Sequence, residues 1–252
     1  MAGTAEKPTA KDGRRSTEPA ARNLAATGSR PPSPYEQLKR NIATGELGPG
    51  FPLVEGTLAE SFGVSRTPIR EALTRLEQDG LVMRTDRGLV VRERSPEEIL
   101  DIYEVRILLA GLGARLAAQR RSALDLIRLR TRLGALTQAD TADIAMIVQA
   151  NRAFHRSVWK ASHNAPVEEI MDRLNHQISA RYPATTLVLP GRLEKTIAEH
   201  GELVAAIDAQ DAILASSIAT RHFQATRDAR LQMWTQSYSG FEDSGFEEHS
   251  DY

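Results

Sequence analysis

The chain has 252 residues, with 32 Lys and Arg against 33 Asp and Glu and a formal net charge of −1. That balance supplies no global basic field, so affinity for a nucleic acid would have to come from local placement of charge. Cysteine is absent, which removes disulfides and thiolate metal ligands, and no apolar run approaches a membrane span or a signal-peptide core; a soluble, cytoplasmic chain with no membrane partner is expected.

Residues 1–33 are rich in Ala, Thr, Ser, Pro and Gly without an apolar period, and are expected to form a disordered tail with a basic lean. A helix is expected over 35–47, with Leu38 and Ile42 inward, stopped by Gly48-Pro49-Gly50. A second is expected over 53–62, with Leu58 and Phe62 inward. Gly63 then turns into a third. There Ile69, Ala72, Leu73 and Leu76 fall at i, i+3, i+4 and i+7 on one face, while Arg66, Thr67, Arg70, Thr74 and Gln78 fall on the other. Ser65 or Thr67 is placed to cap its start, and Pro68 is tolerable only in the first turn. Such a helix is either a solvated surface helix or one shaped for a DNA major groove, with phosphate drawn to its N-terminus and Arg to guanine edges. Two short helices around a tight Gly turn favour the second, as a helix-turn-helix. Residues 81–84 and 89–92 read as strands around Thr85-Asp86-Arg87-Gly88, a β-hairpin wing with Arg87 at its tip near the minor groove or phosphates.

Ser95-Pro96-Glu97-Glu98 opens a wholly helical remainder. Six helices are expected, at 96–121, 122–138, 141–162, 166–181, 191–209 and 211–235, with a loop over 182–190 and a disordered acidic tail over 237–252. The fold class is thus mainly α: a winged helix-turn-helix domain over 34–94, then an all-α six-helix bundle over 95–236.

Polar residues interrupt the apolar stripes of that bundle. Asn151 and His155 lie in phase with Ile144, Ile147, Val148, Phe154, Val158 and Trp159. His200 lies in phase with Leu193, Ile197, Leu203, Val204 and Ile207, and His222 with Leu214, Ile218 and Ala225. Arg106 interrupts the stripe of Ile99, Ile102, Tyr103, Leu109 and Ala110. Each buried polar group needs a partner, and one divalent ion, zinc or nickel, would serve the three imidazoles and the Asn together. A hydrogen-bonded core cluster satisfies the same pattern. His163 and His176 fall off the stripes and read as surface or structural. No Glu or Asp falls on the inward faces as a general base, which weighs against a metal-dependent helical-bundle enzyme; a regulator that senses the metal itself is a further alternative.

The pattern from Tyr35 to Val82, densest in Gly63-Val64-Ser65-Arg66-Thr67-Pro68-Ile69-Arg70-Glu71-Ala72-Leu73, resembles the winged helix-turn-helix domain of GntR-family transcriptional regulators. The resemblance implies DNA contacts at Ser65, Arg66, Thr67 and Arg70, and at Gly88 in the wing. Gly56 departs from it, since many members carry an Arg there that touches DNA. Ile102-Tyr103-Glu104-Val105-Arg106, Asn151-Arg152-Ala153-Phe154-His155, Glu199-His200 and Arg221-His222-Phe223 resemble the all-helical FCD effector domain of the FadR branch, and six helices resemble its VanR-like group. That resemblance implies a metal held by Asn151, His155, His200 and His222, with Asn151 standing where Asp is commoner and Ala110 where an acid is usual. It also implies a small organic acid effector in the same cavity, which Arg106 is suited to pair. The expected function is a ligand-responsive regulator, a probable repressor, acting as a homodimer on a pseudo-palindromic double-stranded DNA operator.

Overall fold

A computed structural model describes residues 32–181 and 185–242. The front of the chain holds α1 (Pro34–Thr44), α2 (Glu55–Phe62) and α3 (Arg66–Gln78), followed by β1 (Val82–Thr85) and β2 (Gly88–Val91). Ser33 opens α1 with a capping box to Glu36, and Gly45 closes it in the left-handed region. Gly63, also left-handed with φ +63, turns α2 into α3. The inward stripe of α3 is as expected: Ile69, Ala72, Leu73 and Leu76 are buried against Leu38, Ile42 and Leu81. Each buried Ile or Leu among these contributes about 1.5–3 kcal/mol of transfer free energy. β1 and β2 pair antiparallel, Val82 with Val91 and Thr85 with Gly88, around the two-residue loop Asp86-Arg87.

Residues 51–53, of which only Leu53 was expected in a helix, run alongside β2 instead, through a bridge of Pro52 to Val90 and bonds from Leu53 N to Leu89 O and Val91 N to Phe51 O. Pro52 has no N–H to donate, so it suits this edge position, and α2 begins only at Glu55 rather than at 53.

Six helices follow: α4 (Pro96–Arg120), α5 (Ala123–Thr137), α6 (Ile144–Ala161), α7 (Ala165–Arg181), α8 (Arg192–Asp208) and α9 (Ala212–Glu242), with a 3-10 turn at Thr186–Val188. Capping boxes at Ser95–Glu98 and Ser122–Asp125 set the starts of α4 and α5. Asp143 caps α6 by accepting from Met146 N, which moves its start from the expected 141 to Ile144. Ile144 and Leu214, expected on inward stripes, are exposed at the outer ends of their helices. The α9 backbone runs through Glu242, so 237–242 is helical where a disordered tail was expected. No Pro or left-handed residue stops it, and a formed helix propagates readily. The remainder of that tail, and the tail over 1–31, lie outside the described residues.

The core of the bundle is built from all six helices, α4 to α9, around Phe154, Trp159, Leu129 and Ile207, with Val167 and Met171 from α7. Helices α4 and α9 approach closely at Gly111, where an added Cβ would stand 2.6 Å from Thr220 Oγ1 and 3.2 Å from Ser216 Oγ. A second cluster joins Ile99, Ile102 and Tyr103 of α4 to Ile178 of α7. No helix among the described residues is long and apolar enough to cross a membrane.

Helix α7 also packs against α1, and His176 lies at that seam. Its Nδ1–H donates to the Asp172 carbonyl at 2.6 Å, while burial, with Lys39 nearby, lowers its pKa to about 4. Between pH 6.5 and 4 the unfolded chain therefore binds a proton at His176 that the folded chain rejects, so stability falls as pH falls through that window. We expect the Tm of metal-stripped protein to drop steadily from pH 6.5 to 4, and the drop to be shallower in His176→Gln. The difference is on the order of 2 kcal/mol once solvent screening at this half-buried site is allowed for. Parallel Tm–pH curves for the two proteins would contradict this.

Candidate nucleic-acid interface and metal centre

At the N-terminus of α3, Ser65 is the N-cap residue but its side chain makes no capping bond. The first N–H groups of this helix thus have no side-chain acceptor there, which is the condition for drawing an anion. Ser65, Arg66, Thr67, Arg70 and Thr74 are all exposed on the face opposite the buried stripe. Arg66 lies over Gly56, its Nη2 3.7 Å from where a Cβ would stand. Arg70 is held by Glu55 of α2, through Nε at 3.1 and 3.2 Å and Nη2 at 2.8 Å. Thr74 Oγ1 donates to the Arg70 carbonyl at 2.9 Å. Arg87 and Gly88 are exposed at the wing turn, where Gly88 takes φ +110 and Thr85 Oγ1 donates to its carbonyl at 3.0 Å. The sequence reading missed Glu55, whose place beside Arg70 depends on how α2 packs on α3.

Behind this, the bundle brings three imidazoles together, from α6, α8 and α9. Ring centroids are 4.8 Å apart for His155 and His200, 5.1 Å for His155 and His222, and 4.8 Å for His200 and His222. One ring nitrogen from each lies within 4.8 Å of the others, and all three residues are buried. Phe154 stacks on His200 at 4.0 Å, and Phe223 packs against His155 and His222. Neither nitrogen of His200 has a hydrogen-bond partner. Burial, and then the neighbouring imidazoles, push His155 and His200 well below the ordinary His range. Neutral imidazole is the form that ligates a metal.

His222 is oriented from behind. Its Nδ1 bonds to Glu199 Oε2 at 2.6 Å, and Glu199 is also held by Arg192 Nη1 at 3.2 and 3.3 Å. Burial pushes the Glu199 carboxyl up, but its bonds to His222 and Arg192 outweigh this and hold it below the usual carboxylate value. A carboxylate that fixes the tautomer of a His is the usual support of a metal ligand. Two nitrogens bound tetrahedrally to one ion at ~2.1 Å sit about 3.4 Å apart. The donor set therefore fits a divalent ion once the rings close by up to about an ångström, and one of the two orphaned nitrogens of His200 is the atom such an ion would satisfy.

A cavity of about 100 Å³ adjoins the cluster, with His155, His222, Asn151, Arg106 and Arg230 among its lining and no Asp or Glu. Asn151 Oδ1 and Thr196 Oγ1 are buried there with no bonding partner. Arg106, buried as expected, donates from Nη2 to Asn175 Oδ1 at 2.5 Å and lies 4.9 Å from the Phe223 ring centre. His163 stands apart on the surface, bonded to Asp125 at 2.9 Å. The expectation that no carboxylate joins the inward cluster is overturned by Glu199. It lies off the apolar stripe of α8, so its phase placed it outward, although its position next to His200 was a signal.

Comparison with known proteins covers both halves. Residues 34–91 match the family model for bacterial regulatory proteins of the gntR family, and residues 101–225 match the FCD domain. The chain is 34% identical over 147 residues to the uncharacterized HTH-type transcriptional regulator YdhC of Bacillus subtilis, an alignment spanning 57% of this chain and 66%, just under two thirds, of that one. It is 30% identical over 181 residues to the transcriptional regulator McbR of Escherichia coli, covering 69% of this chain and 80% of McbR. The solved structure of E. coli McbR/YncC superposes with a TM-score of 0.68 at 25% identity, covering 81% of this chain and 96% of that one. A probable D-xylose utilization operon transcriptional repressor of Paenarthrobacter nicotinovorans is 30% identical, covering 73% of this chain and 81% of the relative. With its helix-turn-helix and FCD segments in this order, the chain belongs to the GntR family of bacterial regulatory proteins and is a DNA-binding transcriptional regulator.

Proposed function

We propose that this regulator is a homodimeric repressor whose grip on its operator is set by a small organic acid bound beside a divalent metal, zinc or nickel, in the bundle. The observation that carries this is His200: a buried imidazole with two unbonded nitrogens, facing two more imidazoles, His155 and His222, that line an Arg-lined cavity without a carboxylate. His155, His200 and His222 would hold the ion, with the Asn151 oxygen as a fourth donor. The ion would supply Lewis acidity and positive charge toward an anionic ligand. Arg106 would pair with the ligand's carboxylate. A cavity of about 100 Å³ admits some seven to ten water-sized groups at ~10–15 Å³ each, which suits an acid of few carbons.

On the DNA side, Arg66, Thr67, Arg70 and Thr74 would enter the major groove, Ser65 and the start of α3 would meet phosphate, and Arg87 and Gly88 would meet the backbone or minor groove beside it. Glu55 leaves Nη1 of Arg70 free while fixing the plane of its guanidinium, which suits it to a bidentate contact. Arg66 occupies the surface over Gly56 that a long side chain at 56 would otherwise cover.

The dimer reading rests on α4. Val105 and Leu108 are exposed, Leu108 by 75%, on one face with half-buried Leu112. Two copies of α4 packed antiparallel about Leu108 would set exposed Asp101 against Arg115 of the partner subunit.

We expect Arg66→Ala and Arg70→Ala each to weaken binding to a selected operator by roughly 1–3 kcal/mol with circular dichroism unchanged; unaltered footprints would remove α3 from the interface. His155→Ala combined with His200→Ala is expected to lose the bound metal in elemental analysis. Arg106→Ala is expected to lose the thermal shift given by organic acids in the presence of zinc, far beyond any drop in its own Tm. Retained metal in the first, or a retained shift in the second, would overturn the site. Leu108→Glu is expected to convert dimer to monomer in analytical ultracentrifugation, whereas an intact dimer would place the interface elsewhere.

A further inference from the structure

Helix α7 stands between the cavity and the recognition helix, and touches both with neighbouring residues. Asn175 and Gln177 are two positions apart, so at 100° per residue they leave α7 on opposite sides. On the cavity side, Asn175 Oδ1 accepts from Arg106 Nη2, and Ile178 and Ser179, one turn on, line the same cavity. On the other side, Gln177 Nε2 donates to the Asp79 carbonyl at 2.7 Å. Asp79 is the C-cap of α3, so this bond satisfies one of the carbonyls a helix end leaves open.

The next carbonyl, of Gly80, accepts from Arg94 Nη2 at 3.0 Å. A Cβ at Gly80 would stand 3.0 Å from both Gln177 Nε2 and Arg94 Nη2, so the two donors close tightly around that turn. The Asp79 side chain meanwhile accepts from Tyr35 Oη at 2.5 Å and lies 3.5 Å from Lys39 Nζ, both of α1. One residue at the foot of the recognition helix therefore gathers α1, α3 and α7.

We infer that α7 transmits the state of the cavity to the recognition helix, with Asn175 as the positioning residue at its input and Gln177 at its output. The inference rests on the reading of the cavity as the effector site. A carboxylate in the cavity competes for the Nη2 that Asn175 holds, and an ionised acceptor outbids a neutral amide for a guanidinium. When Arg106 turns to it, α7 is released on the cavity side, and the position of Gln177 beneath Asp79 shifts. Binding at one end is then felt at the other because both ends act on one helix.

Hydrogen–deuterium exchange on the full chain, without effector or operator, tests the route. Asn175→Ala is expected to raise amide exchange over residues 76–91 about five-fold or more, while exchange over 147–159 in the bundle core stays within two-fold of wild type. Gln177→Ala is expected to give the same rise, and the double variant no more than either single one, because both cut one path. Asn175→Asp keeps an acceptor for Arg106 and is expected to exchange as wild type. Unchanged exchange over 76–91 in Asn175→Ala, a rise spread evenly over the chain, a multiplicative double variant, or an Asn175→Asp variant as open as Asn175→Ala would each overturn the inference. Since no effector is added, failure of the organic-acid reading would leave these outcomes as they are.

Discussion

A buried imidazole with neither nitrogen bonded is a standing cost, of about 1–3 kcal/mol for each unsatisfied polar group, and the bundle is arranged around one. His200 is 1% exposed, capped by the Phe154 ring, with His155 and His222 as its nearest polar neighbours. Burial keeps the three rings neutral, and Glu199 with Arg192 fixes the third from behind. Donors on three helices are thus brought together by packing, and in the case of His222 by hydrogen bonds as well. On the proposed reading, the stability forgone at this cluster would be returned by an ion bound there.

The same economy of charge runs through the chain. With a net charge of −1, the protein has no bulk field, and its cations act by position. Arg66 and Arg70 stand at the start of α3 beside free backbone N–H groups, and Arg106 and Arg230 line a cavity that contains no acid. Acids appear where they steer a neighbour: Glu55 on Arg70, Glu199 on His222, Asp79 on Tyr35 and Lys39. A family of DNA-binding regulators thus needs no basic composition, only cations placed locally.

Much of this was legible in the sequence because it is periodic or local. The stripe on α3, the Ser-Pro start of α4, and the phases of His155, His200 and His222 each depend on residues a turn or two apart. What escaped was set by contacts between distant segments. The pairing of 51–53 with β2 was missed, and Leu53 was read as helix, because nothing local shows that β2 offers them a partner. Glu199 was placed outward because its phase says so, yet it reaches His222 across the α8–α9 seam, which brings 199 and 222 together. Asn175 and Gln177 sit in an unremarkable polar helix, and their bonds to Arg106 and Asp79 span 69 and 98 positions in the chain. Polar side chains that link elements leave no period to read.

Gly111 sets a limit on how this molecule can adapt. With Thr220 and Ser216 filling the space where its side chain would be, α4 and α9 are in backbone-close register, and sliding one along the other would drive hydroxyls into main chain. The pair therefore behaves as a stiff keel. On the proposed reading of the cavity, deformation on ligand entry would fall to lighter elements, the 3-10 turn at Thr186–Val188 and α7, which also border the cavity. Variation in what such a chain senses is then expected to accumulate at those bordering residues, while the small residue at 111 stays small whatever the ligand becomes.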